Sequence, residues 1–255
     1  MKKIKYNNSI VKVIVVIILI LYILFLYMDF YNAKIFNNTK YIKYLCVLLC
    51  FLLSIVSKRK PIIDTGNYTD IFLLRLALFI TVFADLCLVI FEVNILGVVL
   101  FCLVQITYSV RYTTVKIKTT LISFFIIFQC IVLTYLIACL FIREINILLP
   151  ISIFYFICLF TSVSKAIKAC KNNLYPFPNK FMIALGMILF LLCDLCVFLS
   201  YINIKLPLTG NFIRSVQQIA SLLVWVFYLP SQLLLSLSGI NRVNPMDIVD
   251  KTREL

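Results

Sequence analysis

Long apolar runs separated by short polar segments make up nearly the whole chain. The runs are about 17 to 22 residues long, and a helix needs about 20 apolar residues to cross the hydrocarbon core of a bilayer. The pattern predicts an all-α fold, a polytopic transmembrane helical bundle of about eight spans that forms one integral membrane domain. The predicted spans lie near residues 10–28, 41–57, 71–91, 93–110, 120–141, 147–164, 181–201 and 219–238.

The composition excludes a water-soluble fold. Hydrophobic residues make up 64% of the chain, its mean hydropathy is +1.09, and charged residues make up only 13%, against roughly 25% in an average soluble domain. The first apolar run follows Lys2, Lys3 and Lys5, as a cleaved signal peptide would. Because the run is too long and no small-residue cleavage site follows it, we expect it to be kept as the first span.

Basic residues gather on one side of the predicted bundle. Of the 24 Lys and Arg residues, about sixteen fall on the inner side and about five in outer loops if the N-terminus is inside. This asymmetry predicts that both termini, including the tail 239–255, are cytoplasmic, and we expect a plasma-membrane location. Basic inner loops attract anionic membrane lipids, which accounts for the net charge of +14 without nucleic acid as a partner.

The cysteine and histidine content narrows the chemistry. Most of the ten cysteines lie within spans and are interpreted as small buried apolar residues. Cys193 and Cys196 form a Cys-x-x-Cys pair, but without histidine or a second pair we predict no metal site and no cofactor. Catalysis would depend on carboxylates, hydroxyls or thiols.

Two of the ten acidic residues, Asp85 and Asp194, fall deep within apolar spans. An ionisable group at that depth costs about 3 kcal/mol or more and usually marks a function. Both spans run from inside to outside, and the two residues lie about 21 Å and about 20 Å along them. We expect the carboxyls to share a chamber in the outer half and to act as one acid and one base. The alternative is a buried hydrogen bond that only joins helices.

The surroundings of the two aspartates resemble each other. Asp-Leu-Cys at 85–87 with Asn-Ile at 94–95 recurs as 194–196 and 203–204 in the same register. The spacing covers four helices and predicts a four-plus-four internal repeat, at whose interface transporter-like folds often place a site. Chance similarity in a chain rich in leucine and isoleucine is the alternative.

An ordered set of short stretches runs through the predicted spans. It comprises Lys60-Pro61 before span three, Ala84-Asp85 within it, Gly97, Phe101, Gln105 and Tyr108 in span four, Gly186, Phe190 and Asp194 in span seven, and Tyr228 and Gln232 in span eight. In order and spacing the set resembles the YhhN-like lysoplasmalogenase family of eight-span membrane proteins, over roughly residues 58–238. Gln105 stands where that family has histidine. A role that requires imidazole would be lost in this chain, whereas a role that requires only a hydrogen bond would survive.

The resemblance implies an enzyme that cleaves the vinyl-ether bond of lysoplasmalogens to a fatty aldehyde and a glycerophospho-alcohol. Such a bond is cleaved by protonation of its β-carbon, which creates an oxocarbenium ion that water captures. Our hypothesis is that one of Asp85 and Asp194 supplies the proton while the other stabilises the cation and activates water. The expected partners are a lysophospholipid substrate and membrane lipids.

Six further residues are expected to bind substrate or support the site: Tyr228, Gln232, Gln105, Tyr108, Tyr155 and Lys60. The Tyr228 hydroxyl is a candidate hydrogen-bond donor to a carboxylate. Gln105 and Tyr108 lie nearer the cytoplasmic end, where they would line a tail channel or orient span three. Tyr155 lies at the depth of the aspartates, with a lipid-facing or core position as the alternative. Lys60 is a candidate phosphate contact, although the positive-inside rule also accounts for it.

Two other functions use the same features differently. A proton-coupled transporter of small molecules or lipids would load and release protons on the aspartate pair, but Gly and Pro are scarce in the spans, so discontinuous helices are poorly indicated. A scaffold or partner-binding membrane protein would need neither aspartate for chemistry.

Overall fold

The computed structural model describes residues 2–31, 39–57, 67–113, 117–142, 145–205 and 211–239. These ranges form eight α-helices and one π-helical turn, and they contain no strand. All eight helices are long and apolar enough to cross a membrane. The predicted all-α transmembrane bundle is confirmed, and the chain is a multi-pass integral membrane protein.

The helices follow one another with short connections. They are α1 (Lys2–Phe30), α2 (Thr39–Val56), α3 (Asn67–Asp85), the π turn (Leu86–Ile90) that continues α3, α4 (Asn94–Arg111), α5 (Ile117–Phe141), α6 (Leu148–Lys171), α7 (Asn179–Lys205) and α8 (Asn211–Leu237). We call the end at which α1 finishes and α2 begins the outer end, following the orientation that the basic residues predict.

The sixth helix extends seven residues beyond its predicted span, to Lys171. Its last turns are amphipathic, because Ala166 and Ala169 are buried against the bundle while Lys168 is exposed. The lysines of this segment had indicated a loop, although they belong to the polar face of a helix. The helix ends where Asn173 adopts a left-handed φ of 52°, and Leu174 N donates to Ala169 O at 3.0 Å, as in a Schellman motif.

The main core lies among α3, α4, α6, α7 and α8. The most extensive pairing is that of α7 with α8, and it depends on Gly186, because a Cβ there would lie 3.0 Å from Leu235 Cγ. Ser231 Oγ also donates to the Gly186 carbonyl oxygen at 2.8 Å. A second cluster joins α1, α2 and α8, whereas α5 buries only Thr120 and Phe124, near its inner end.

A buried ion pair holds the inner end of the bundle together. Arg111 on α4 donates from Nε to Asp70 Oδ1 on α3 at 2.8 Å, and from a terminal nitrogen to Ser238 Oγ, just after α8, at 3.2 Å. The Tyr175 hydroxyl, between α6 and α7, lies 2.9 Å from Asp70 Oδ1. Burial raises the pKa of the phenols of Tyr175 and Tyr112, so both remain protonated.

Candidate active site

Asp85 is the last α-helical residue of α3 and lies in the outer half of the bundle. Its side chain is buried, with the residue 3% exposed. Tyr228 on α8 donates its hydroxyl hydrogen to Asp85 Oδ2 at 2.6 Å, which is the hydrogen bond that Tyr228 was expected to make. The π turn begins at the next residue, where Phe91 N donates to Leu86 O at 3.0 Å. Single π-helical turns are rare and recur at functional sites.

A close approach of α3 to α4 accompanies the π turn. Leu88 lies so near Gly97 on α4 that a Cβ at Gly97 would lie 2.3 Å from Leu88 Cγ. The short connection from the π turn to α4 contains Glu92, whose φ is 57°. Glycine at position 97 is thus required by the packing of the segment that follows Asp85.

Asp194 lies on α7 and is partly buried. Tyr155 on α6 donates its hydroxyl hydrogen to Asp194 Oδ2 at 2.5 Å. Ring contacts from Tyr228 through Phe190 and Phe101 to Tyr155 join this pair to that of Asp85 and Tyr228. Two carboxyl–phenol pairs from four different helices therefore meet in one region of the bundle.

Two buried aromatic rings connect these pairs. The Phe190 ring centroid lies 5.7 Å from that of Tyr228 and 5.9 Å from that of Phe101. The Phe101 centroid lies 6.2 Å from that of Tyr155. Both phenylalanines belong to the stretches singled out in the sequence, and their contacts place them as the apolar wall beside the carboxyls.

Gln105 lies nearer the aspartates than its predicted position towards the cytoplasmic end suggested. It is wholly buried, accepts a hydrogen bond on Oε1 from Ser162 Oγ at 2.7 Å, and lies beside the Tyr155 hydroxyl. Because Tyr155 in turn holds Asp194, Gln105 stands one side chain away from a carboxyl. A hydrogen-bonding role at this position therefore does not need an imidazole.

Gln232 and Tyr108 make no hydrogen bond to either carboxyl in the part of the chain that the structure describes. Gln232, one turn beyond Tyr228, is wholly buried, and within the described part of the chain neither of its amide atoms has a hydrogen-bond partner. Tyr108 stacks on Tyr112 with ring centroids 5.8 Å apart, towards the inner ion pair. Lys60 lies outside the described residues.

Three neighbours of the site had no assigned role in the sequence. Cys193 is buried beside both carboxyls. Tyr44 on α2 lies close enough to Asp85 for the carboxylate charge to act on its phenol. The Trp225 ring centroid lies 5.4 Å from that of Tyr228. Two of them had a signal in the sequence, since Cys193 is adjacent to Asp194 and Trp225 lies at the depth of the aspartates. Tyr44 had none, because the orientation of α2 towards Asp85 depends on helix packing.

The chemistry available is that of proton transfer. The site offers two carboxyls, two phenols and a thiol, and in the described ranges no group of three or more His, Cys, Asp or Glu side chains is arranged to hold a metal ion. Two interacting carboxyls in an apolar setting are a common arrangement for acid–base catalysis.

The fold and the site define a multi-pass membrane protein with a pair of intramembrane carboxyls. The chain belongs to the YhhN family, whose sequence profile matches residues 38–239. The match begins at α2 and includes every element that supplies Asp85, Asp194, Tyr155 and Tyr228. A search of curated proteins found no match, and neither did a search of solved structures.

Proposed function

We propose that the protein is an intramembrane hydrolase that cleaves the vinyl-ether bond of lysoplasmalogen-type lysophospholipids by acid–base catalysis. The observation that carries the proposal is the placement of two intramembrane carboxyls, Asp85 and Asp194, in one region of the bundle, each hydrogen-bonded to a tyrosine on another helix. Membership in the YhhN family, a lysoplasmalogenase-type family, supports the same reaction. The expected products are a fatty aldehyde and a glycerophospho-alcohol.

The reaction needs one proton donor and one general base. A protonated carboxyl transfers its proton to the β-carbon of the vinyl ether, and the positive charge develops on the α-carbon and the ether oxygen. The second, ionised carboxyl stabilises this oxocarbenium ion and takes a proton from the water that attacks the α-carbon. The hemiacetal then collapses to aldehyde and alcohol: the second carboxyl gives its proton to the leaving glycerol oxygen, and the hemiacetal hydroxyl returns a proton to the first carboxylate. Both carboxyls are restored, and the net reaction consumes one water molecule.

The two tyrosines position the carboxyls. Tyr228 and Tyr155 each donate to an Oδ2 oxygen, which restrains the orientation of the carboxyl. Holding reacting groups in a productive orientation is a large part of catalysis. Both hydrogen bonds join side chains on different helices, so the orientation is maintained by the bundle as a whole.

The location of the site suits a single-chain lipid in the membrane. The vinyl ether of a lysoplasmalogen lies just below its headgroup, and the aspartates lie in the outer half of their spans, so the lipid would enter sideways between helices. The aldehyde product would leave by the same lipid phase. We expect the enzyme to act in the plasma membrane.

Purified protein in detergent tests the proposal when it is supplied with lysoplasmalogen and aldehyde release is followed. Asp85→Asn and Asp194→Asn should each lower kcat by about 10²–10⁴-fold, the usual contribution of acid–base catalysis. Glu92→Gln, at the exposed end of the same α3–α4 hairpin, is the matched control and should keep wild-type activity. Wild-type rates in both Asn variants would refute the acid–base pair.

The alternative of a proton-coupled transporter has its own readout. A wild-type protein that cleaves no vinyl ether, yet carries a proton-dependent flux in liposomes that both Asn variants abolish, would favour the transporter. In the described residues the spans are unbroken helices apart from the π turn and Pro230 inside α8, which gives little support to discontinuous helices.

A further inference from the structure

An ion pair lies at the outer end of the bundle, on the same side as the carboxyl pair. Lys43 Nζ, near the start of α2, lies 2.7 Å from Asp29 Oδ2, near the end of α1, and the two side chains are 13% and 17% exposed. Charged groups within apolar spans and near their ends are costly, usually pair with one another, and mark substrate or ion pathways. The pair is partly accessible, as a binding site must be.

A short series of contacts connects this pair to Asp85. The Lys43 ammonium lies 5.1 Å from the ring centroid of Trp225 and 5.7 Å from that of Phe25. Trp225 packs edge-to-face on Tyr228 at 5.4 Å, and Tyr228 holds Asp85. A single indole ring thus separates the ammonium of Lys43 from the phenol that positions a carboxyl of the site.

The charges of the pair complement a zwitterionic headgroup. An ammonium has three hydrogen-bond donors and a carboxylate has two acceptor oxygens, so the pair can keep its own contact while Lys43 binds a phosphate oxygen and Asp29 a cationic amine. In a lysophospholipid whose vinyl ether lies at the aspartates, the phosphodiester lies a few bonds further towards the interface. Lys43 lies in that direction, whereas Lys60 is predicted on the opposite side of the membrane.

We propose that Lys43 and Asp29 recognise the substrate headgroup, with Lys43 on the phosphodiester and Asp29 on the amine. The assignment rests on the proposed function for the identity of the substrate. It makes the headgroup, and not only the vinyl ether, a determinant of binding.

The ion pair has a second interpretation, in which it only joins α1 to α2. The two interpretations differ when the charges are exchanged. In Lys43→Asp/Asp29→Lys the ion pair is restored, so a joining role survives, but the positions of the charges relative to the phosphate are reversed. Lys43→Gln removes the cation and keeps the length and polarity of the side chain.

Binding is measured without catalysis through Trp225, the only tryptophan in the chain. The protein in non-ionic detergent is titrated with 1-O-alkyl lysophosphoethanolamine, which has no vinyl ether, or with 1-O-alkylglycerol of equal chain length, and tryptophan fluorescence is followed. Wild type should bind the phospholipid at least about tenfold more tightly, as expected for charge-assisted hydrogen bonds. Lys43→Gln and the exchanged pair should both lose this preference.

Two results would overturn the inference: equal affinity of wild type for the two lipids, or wild-type preference in the exchanged pair. Kinetics separate this failure from failure of the proposed function. If the enzyme cleaves vinyl ethers, Lys43→Gln should raise KM for lysoplasmalogen with little change in kcat, and should leave cleavage of a 1-O-alkenylglycerol unchanged. A protein that cleaves neither substrate but still prefers the phospholipid in the fluorescence titration refutes the reaction and supports the headgroup site.

Discussion

Tyr228 donates a hydrogen bond of 2.6 Å to Asp85 across 143 positions of sequence. The contact ties α8 to the point where α3 changes from an α-helix to a π turn. Tyr155 makes the corresponding bond to Asp194, and joins α6 to α7. Each carboxyl of the site is therefore positioned by a phenol from another helix, and the site exists only in the assembled bundle.

Removing either phenolic hydroxyl should slow catalysis without unfolding the protein. Tyr228→Phe and Tyr155→Phe keep the ring packing and lose the hydrogen bond to the carboxyl, so we expect kcat to fall by about 10- to 100-fold with a small change in KM. Tyr135→Phe is the control, because Tyr135 lies on α5, which supplies neither carboxyl nor its phenol partner, and donates to the Ile145 carbonyl oxygen. Full activity of both site variants in aldehyde release would contradict the positioning role.

Gln105 should tolerate histidine and not leucine. Its amide lies between Ser162 and Tyr155, and an imidazole can replace an amide as a hydrogen-bonding group. We expect Gln105→His to keep kcat within a few-fold of wild type and Gln105→Leu to lower it by about tenfold. Ser162 retains the Leu159 carbonyl oxygen as an acceptor in both variants. Equal kcat for the leucine and histidine variants would show that the amide has no catalytic influence.

Alanine at position 97 should disturb the segment that follows Asp85. Its Cβ would lie 2.3 Å from Leu88 Cγ, so Leu88 and the π turn must move, at a cost of about 1–3 kcal/mol. We expect a lower thermal unfolding temperature in detergent and reduced aldehyde release. The double variant Gly97→Ala/Leu88→Ala should recover part of both losses, with Leu88→Ala alone for comparison. If Gly97→Ala were as stable as wild type, the contact between position 97 and Leu88 would not be tight.

Asp70→Asn should destabilise the bundle and leave the chemistry intact. The change leaves the buried guanidinium of Arg111 without its carboxylate partner, and breaking such a pair costs about 3–5 kcal/mol. Asp70 is 15 residues before Asp85 in the sequence, about 22 Å along the helix, so kcat per folded molecule should not change.

The double variant Asp70→Leu/Arg111→Met removes both charges of that pair and should regain much of the stability lost by Asp70→Asn. Thermal unfolding and aldehyde release are measured on the same preparations. If the activity of Asp70→Asn fell far below its folded fraction, the inner ion pair would have to be coupled to the site.

Much of the fold follows from the linear chain. Apolar runs of about 20 residues have no stable alternative to crossing a bilayer as helices, so the number and the approximate bounds of the spans can be predicted. The similar depth of Asp85 and Asp194 in the membrane is predicted by counting residues along two helices that run in the same direction. Tyr228 was a candidate partner of a carboxyl because it shares that depth and lies in a family-like stretch. The four-plus-four repeat stays a prediction.

Tertiary packing alone decides which side of each helix faces the site. Residue counts give depth but not rotation about the helix axis, so they did not distinguish Tyr155, which holds Asp194, from Tyr135, which does not. The π turn after Asp85 accompanies the contact of Leu88 with Gly97, which local periodicity does not show. In the sequence, Lys43 and Asp29 are only two charges at span ends. The packing of α1, α2 and α8 around Trp225 brings them together as an ion pair beside the site. The depth of a residue depends on its own helix, whereas the contacts of its side chain depend on how several helices pack.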